Sequence, residues 1–370
     1  MLNILIIEPY YTGSHAAWAR GYQKFSTHNI EILSLEGRYW KWRMHGGAVT
    51  LAKKFMEGEY KPDLILATDM LDVTTFLSLT RGRTASIPVA LYFHENQLTY
   101  PWSPDDRDIL HKRDRHYGFI NYSSALTANT VFFNSSYHKE SFLSELTRFL
   151  KHFPDYNELK TVEEIREKSS TLHLGLDLAS LDSSKIESDS HKKKTPLILW
   201  NHRWEYDKNP IDFFNALYIL ADKGMDFEVA IVGENFRKSP KEFKEAKERL
   251  GKRVVQFGYA KSFEEYAAWL WKSDIMPVTS NQDFFGGSVV EGIYCNSYPL
   301  LPKRLAYPEH IPQEFHNEFF YDDFDGLVRR LEETIANIEQ VRKREAGRFI
   351  DRYRWEEMAP LYDSEIKQLC

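Results

Sequence analysis

Short apolar runs separated by helix-length segments occur in two successive series along this chain, and that rhythm limits its fold more than any other feature. The first series is Leu2–Ile7, Ile30–Leu35, Leu64–Ala67, Val89–Phe93, Val131–Phe133 and Leu172–Leu174, each short enough for a buried strand. Strands alternating with helical segments imply a parallel sheet covered by helices. A polar stretch rich in Ser, Asp and Lys follows from Ala179 to Thr195. The rhythm then restarts with Leu197–Trp200, Phe227–Val232, Val254–Phe257, Ile275–Val278 and Tyr298–Leu301. We therefore expect an α/β chain of two Rossmann-like domains at residues 1–180 and 196–350, joined by a linker at 181–195. A helix at 351–370, anchored by Trp355 and Tyr362, is expected to cross back to the first domain.

The chain's 370 residues exceed what one hydrophobic core usually supports, which agrees with two domains. No apolar run approaches the roughly 20 residues that span a bilayer. The N-terminus enters the first strand without the charged region and cleavage site of a secretory signal. Two distant cysteines, Cys295 and Cys370, provide neither a disulfide framework nor metal-ligand spacing. These features point to the cytoplasm. A net charge of −6 excludes a generally basic coat but leaves room for a local basic patch.

Open α/β sheets bind ligands beyond the carboxyl ends of their strands, so strand-to-helix turns carry the chemistry. The first turn holds Gly13, Ser14 and His15, where a glycine permits close backbone approach before a helix expected to start near Ala16. The fourth strand runs into His94-Glu95-Asn96, a dense set of hydrogen-bonding groups suited to sugar hydroxyls, with Glu95 able to orient the histidine or act as a base. An ordinary helix cap and a structural polar turn are the plainer readings of these two segments.

In the second series, Arg203 and Lys208 lie five residues apart across a turn that Asn209-Pro210 closes into a helix. Two cations there can neutralise a diphosphate leaving group, unless they are spent pairing with Glu205 and Asp207. The most specific segment is Asp283-Phe284-Phe285-Gly286-Gly287-Ser288-Val289-Val290-Glu291. Gly286, Gly287 and Ser288 can turn amides towards a phosphate at a helix N-terminus. Glu291, a turn later, can reach ribose hydroxyls, and Asp283 lies where a transferred sugar would be. Elsewhere, basic and aromatic residues interleave at Lys41, Trp42 and Arg43, and a second basic cluster contains Lys112, Arg113 and Arg115. Such patterns suit stacking on bases and phosphate contact.

Taken in order, these turns resemble the retaining GT-B glycosyltransferases that share an acidic-x7-Glu frame, with Asp283 standing where the broader group usually has Glu. Longer strings resemble the tRNA-queuosine α-mannosyltransferase family: Lys41-Trp42-Arg43, Tyr92-Phe93-His94-Glu95-Asn96-Gln97-Leu98, Tyr117-Gly118-Phe119-Ile120-Asn121-Tyr122 and Asp283-Phe284-Phe285-Gly286. The resemblance implies two domains facing across a central cleft, GDP-mannose as donor and the cyclopentenediol of queuosine in aspartate tRNA as acceptor. It implies catalytic roles for His94, Asp283, Arg203 and Lys208. Donor contacts would come from Gly13, Arg203, Lys208, Gly286, Gly287, Ser288 and Glu291. Acceptor contacts would come from Ser14, His15, Lys41, Trp42, Arg43, Glu95, Asn96, Lys112, Arg113 and Arg115. No metal, cofactor, membrane or obligate protein partner is expected. The alternatives are transfer to a small metabolite or lipid, and a non-catalytic RNA-binding protein on a transferase fold.

Overall fold

The computed structural model describes residues 1–103, 116–185, 194–234 and 240–370. It divides into two compact units, Met1–Leu176 with Trp355–Cys370, and Asp177–Arg354.

Unit 1 is built on strands β1 (Asn3–Tyr11), β2 (Asn29–Glu36), β3 (Leu64–Thr68), β4 (Val89–Phe93), β5 (Thr130–Phe133) and β6 (Ser169–Thr171). Every pairing is parallel, in the order β2-β1-β3-β4-β5-β6. The connecting helices are α1 (Gly13–Phe25), α2 (Trp40–Glu57), α3 (Val73–Thr84), α4 (His116–Thr127), α5 (Ser136–Leu150) and α6 (Lys160–Glu167). β3 and β4 are buried at every residue, which is why they read as unbroken apolar runs rather than alternating ones. The chain leaves β1 towards β2 and returns to β3 on its other side. This reversal opens a crevice beyond the carboxyl ends of β1 and β3.

Two expectations need correction here. β1 continues to Tyr11 and α1 begins at Gly13, so Glu8 lies inside a buried strand rather than in a turn. The sixth strand is the polar Ser169–Thr171, not Leu172–Leu174. As an edge strand it has one partner, β5, and its backbone groups rather than apolar side chains make the pairing.

Unit 2 contains β7 (Leu197–Trp200), β8 (Glu228–Ile231), β9 (Val254–Phe257), β10 (Ile275–Pro277), β11 (Tyr298–Pro302) and β12 (Phe320–Tyr321). The order is β12-β11-β10-β7-β8-β9, again all parallel, with its reversal between β7 and β10. Its main helices are α7 (Pro210–Asp222), α8 (Glu242–Leu250), α9 (Phe263–Lys272), α10 (Gly287–Tyr294) and α11 (Phe324–Ala336). Trp200, Phe213, Phe214 and Phe243 form an aromatic core between the sheet and α7 and α8.

The C-terminal helix α12 (Trp355–Lys367) belongs to unit 1. Its Trp355 indole occupies a slot made by two glycines. A Cβ on Gly21 would meet the ring at 2.0 Å and one on Gly175 at 2.3 Å, so any side chain there displaces the anchor. Tyr362 accepts from Trp18 Nε1 at 3.1 Å, and its hydroxyl also lies 2.9 Å from Tyr92 Oη. Asp363 accepts four hydrogen bonds, from Tyr22, Ser26 and the backbone and hydroxyl of Thr27, at 2.6–2.9 Å.

Candidate active site

Each unit gathers buried polar groups at its own strand reversal. In unit 1, β1 supplies Glu8, the first turn of α1 supplies His15, the end of β3 supplies Asp69 and the end of β4 supplies His94. All four are buried. Glu8 Oε2 lies 3.0 Å from His15 Nδ1, while its other oxygen accepts from Tyr10 N at 2.7 Å. Burial alone would lower the His15 pKa, but the Glu8 carboxylate outweighs it and holds the group up at about 9. His15 is therefore an imidazolium near neutral pH.

His94 behaves in the opposite way. Burial, then the charge of His15, keeps its pKa well below the ordinary range, so it is a neutral ring. That ring sits against His15, Trp18 and Tyr92 at centroid distances of 4.3, 4.7 and 4.9 Å. Its backbone N–H donates to Asp69 Oδ1 at 2.7 Å. Asp69 Oδ2 and His94 Nε2 are both buried and have no hydrogen-bond partner among the described residues, an arrangement typical of a site rather than a core. Burial raises the Asp69 pKa, with His15 opposing. Glu8, His15 and His94 bring potential ligand atoms within 4.8 Å of one another. Within this group Glu8 Oε2 and His15 Nδ1 form the closest contact, at 3.0 Å.

The other expected unit 1 residues divide. Gly13 and Ser14 are exposed at the start of α1. Glu95 accepts from Gln97 Nε2 at 3.0 Å. Asn96 is fully buried and uses its side-chain oxygen to hold the Leu98 and Thr99 amides at 3.0 and 2.9 Å, which makes it a turn former. Lys41, Trp42 and Arg43 lie together in the first turn of α2. Lys112, Arg113 and Arg115 lie outside the described residues.

In unit 2, the loop after β7 and the loop after β10 meet at Lys208 and Asp283. Lys208 Nζ donates to Gln282 O at 2.7 Å and to Asp283 Oδ1 at 2.9 Å, and lies 3.2 Å from Asp207 Oδ2. Tyr307 donates to the second oxygen of Asp283 at 2.5 Å. Burial opposes charge on both partners, yet each prevails through the other: Lys208 is held above its ordinary pKa and Asp283 below. Arg203 is 46% exposed at its side chain and lies 3.3 Å from Glu205. Of the two expected cations, one is thus buried against the acidic residue of the frame, and the other faces solvent.

Gly286 caps α10 with φ +85°, a left-handed conformation that glycine adopts without strain, and it aims the helix N-terminus. The Ser288 hydroxyl shares a 3.1 Å hydrogen bond with His202 Nδ1, and Asn201 Nδ2 donates to Ser288 O at 2.6 Å. Burial lowers the His202 pKa to about 4, leaving a neutral ring. Glu291 accepts from Tyr266 at 2.6 Å. Burial raises its pKa and this hydrogen bond draws it back.

The sequence reading did not single out Glu8, Asp69, His202, Tyr266 or Tyr307 as site residues. Asp69 carried the best available signal, an acid directly after a fully buried strand. Glu8 was concealed by the assumption that its strand had ended.

Residues 3–176 match the family described as tRNA-queuosine alpha-mannosyltransferase N-terminal. A Drosophila melanogaster protein named tRNA-queuosine alpha-mannosyltransferase is 32% identical over 371 residues, covering 97% of this chain and 95% of the relative. The chain belongs to the tRNA-queuosine alpha-mannosyltransferase family. Among solved structures, sucrose-phosphate synthase from Thermosynechococcus elongatus aligns with a TM-score of 0.71 at 13% identity, covering 100% of this chain and 99% of that one. An Anabaena protein solved with UDP and glucose aligns at 0.67 and 14% identity, covering both chains fully. These likenesses show a GT-B glycosyltransferase fold for this mannosyltransferase family member. Among the described residues, no helix is long and apolar enough to cross a membrane.

Proposed function

We propose that this enzyme transfers mannose from GDP-mannose to the cyclopentenediol of queuosine in aspartate tRNA, in the cytoplasm, with retention of configuration. The observation that carries the reading is the buried Lys208–Asp283 pair beside the α10 N-terminus, which joins a cation, a sugar-facing acid and amide donors at one strand reversal. Lys208, Arg203 and the amides of Gly286, Gly287 and Ser288 hold the diphosphate. Glu291 takes the ribose hydroxyls. Asp283 orients the mannose.

Stabilising the charge that grows on the leaving phosphate is the largest electrostatic contribution available here. The bond from the anomeric carbon to phosphate breaks as the bond to the acceptor oxygen forms on the same face. The acceptor proton passes to the departing phosphate, and GDP leaves. Within unit 1, His94 and the Glu8–His15 pair can offer hydrogen bonds to hydroxyl groups, with Gly13 and Ser14 at the start of the same helix as His15. Glu95, Lys112, Arg113 and Arg115 are proposed to contact the acceptor, while the buried Asn96 acts by shaping the turn that carries Glu95. No metal is needed where Lys208 and Arg203 supply the charge.

Titration calorimetry tests this directly. GDP-mannose should bind to the wild type in the presence of a chelator, and binding should weaken in Arg203→Ala. Absence of binding by GDP-mannose and by UDP-glucose would contradict the reading and favour a non-catalytic RNA-binding role.

A further inference from the structure

The start of α2 displays aromatic rings that neither the fold nor the donor chemistry uses. Trp42 is 63% exposed, yet its indole lies along the helix over Gly46, one turn further on. A Cβ at Gly46 would sit 2.4 Å from Trp42 Cζ2 and 2.5 Å from Cε2. One face of the indole therefore rests on bare backbone. Glycine is among the poorest residues for a helix interior, so its presence asks for a reason. Adjacent Gly47 has one in packing, because a Cβ there would approach Pro9 Cβ at 3.3 Å. At Gly46 the three nearest atoms all belong to Trp42.

Tyr39 adds a second, independent observation. It caps α2 at φ +54° and ψ +57°, a left-handed conformation uncommon for a bulky side chain, and it is 79% exposed. Its carbonyl accepts from Trp42 N at 2.8 Å and Arg43 N at 3.1 Å, which fixes the strained residue against the helix. Both rings nonetheless stay largely exposed. Strain held at an exposed aromatic is characteristic of binding surfaces.

Two cations, Lys41 and Arg43, flank Trp42 in the sequence. Lys41 Nζ lies 5.5 Å from the Trp40 ring centre and 5.3 Å from that of Trp102. Arg43 Nε donates to Glu36 O at 2.9 Å, which holds its guanidinium in the wall of a groove of about 410 Å³. Lys54, Tyr11, Ser34, Leu35 and Glu36 complete that groove. An exposed ring whose sequence neighbour Arg43 is fixed in a groove shared with Lys54 suits single-stranded nucleic acid, whose bases stack and whose phosphates need neutralising. On a chain of net charge −6, this concentration is local.

We propose that Trp42, laid flat on Gly46, and Tyr39 are stacking platforms for unpaired bases of the acceptor RNA, with Arg43 and Lys54 taking the adjoining phosphates. The inference rests on the RNA-acceptor reading above. The experiment is anisotropy of a labelled queuosine-containing aspartate tRNA, titrated with full-length protein at several salt concentrations between about 50 and 200 mM. Trp42→Ala should weaken binding about 10-fold with an unchanged salt slope, whereas Trp42→Phe should stay within about 3-fold of wild type. Arg43→Ala with Lys54→Ala should lower the magnitude of the slope by about 2.

Gly46→Ala is the decisive variant. It removes a poor helix residue, so its Tm should equal or exceed that of wild type, yet it displaces the indole and should weaken binding several-fold. Wild-type affinity in both Trp42→Ala and Gly46→Ala overturns the stacking proposal while leaving the acceptor reading intact. Failure of the wild type itself to bind this tRNA overturns both.

Discussion

Lys208 Nζ stands 2.9 Å from Asp283 Oδ1, and a single buried ammonium thereby ties the loop after β7 to the acidic frame before α10. The same nitrogen lies 3.2 Å from Asp207, so one cation answers two carboxylates. Replacing it leaves both charges buried without compensation. Lys208→Met should lose about 3–5 kcal/mol of stability together with activity, read by thermal unfolding and by turnover. An unfolding curve unchanged from wild type would show that the pair does not hold the two loops.

Arg203 offers the contrasting case because its side chain is half exposed. Arg203→Ala should fold with a wild-type Tm and lose about 10²–10³ in kcat, the scale of one removed donor to a developing charge. Full turnover in a folded variant would remove Arg203 from the leaving-group site.

The Glu8–His15 pair has a signature in pH. His15 is held up to about 9 in the folded chain, against about 6.5 when unfolded. A raised folded pKa means that its contribution is complete below about pH 6.5, diminishes across the window from 6.5 to 9 and is gone above it. The shift corresponds to roughly 3 kcal/mol. Urea unfolding at several pH values should show this decline in wild type and a flatter profile in Glu8→Gln. Parallel profiles would mean that Glu8 does not carry the charge of His15.

Glu291 should act on the donor rather than on the fold. Glu291→Gln keeps shape and can still accept from Tyr266, but it loses the charge proposed to hold ribose hydroxyls. The donor KM should rise about 10-fold, equal to about 1.4 kcal/mol, with kcat close to wild type. A fall in kcat without change in KM would place Glu291 in the chemical step instead.

Gly21 tests the anchoring of α12. Gly21→Ala places a methyl group inside the Trp355 indole and should cost about 1–3 kcal/mol or more by overpacking. Retained stability would require the indole to have another resting place.

The strand series and the turn motifs were legible because strands buried on both faces read as unbroken apolar runs, as in Leu64–Ala67 and Val89–Phe93. One edge of each sheet was not. Ser169–Thr171 pairs through backbone alone, and Phe320–Tyr321 spans only two residues, too few for a periodic signal. In the site, single residues such as Arg203, Lys208 and Glu291 could be named because each stands at a fixed offset from a turn. Their partners could not. Tyr307 reaches Asp283 from 24 residues away and Tyr266 reaches Glu291 from 25, distances that only the folded topology closes. Asp69 and His94 meet for the same reason, since β3 and β4 are neighbours in the sheet.

The most direct measurement is the mass of nucleosides digested from tRNA after incubation with the enzyme and GDP-mannose. The expected result is a gain of one hexose on queuosine alone, and only in tRNA that carries queuosine. Unchanged queuosine in the presence of a protein that binds GDP-mannose, or a hexose on tRNA lacking queuosine, would contradict the assignment.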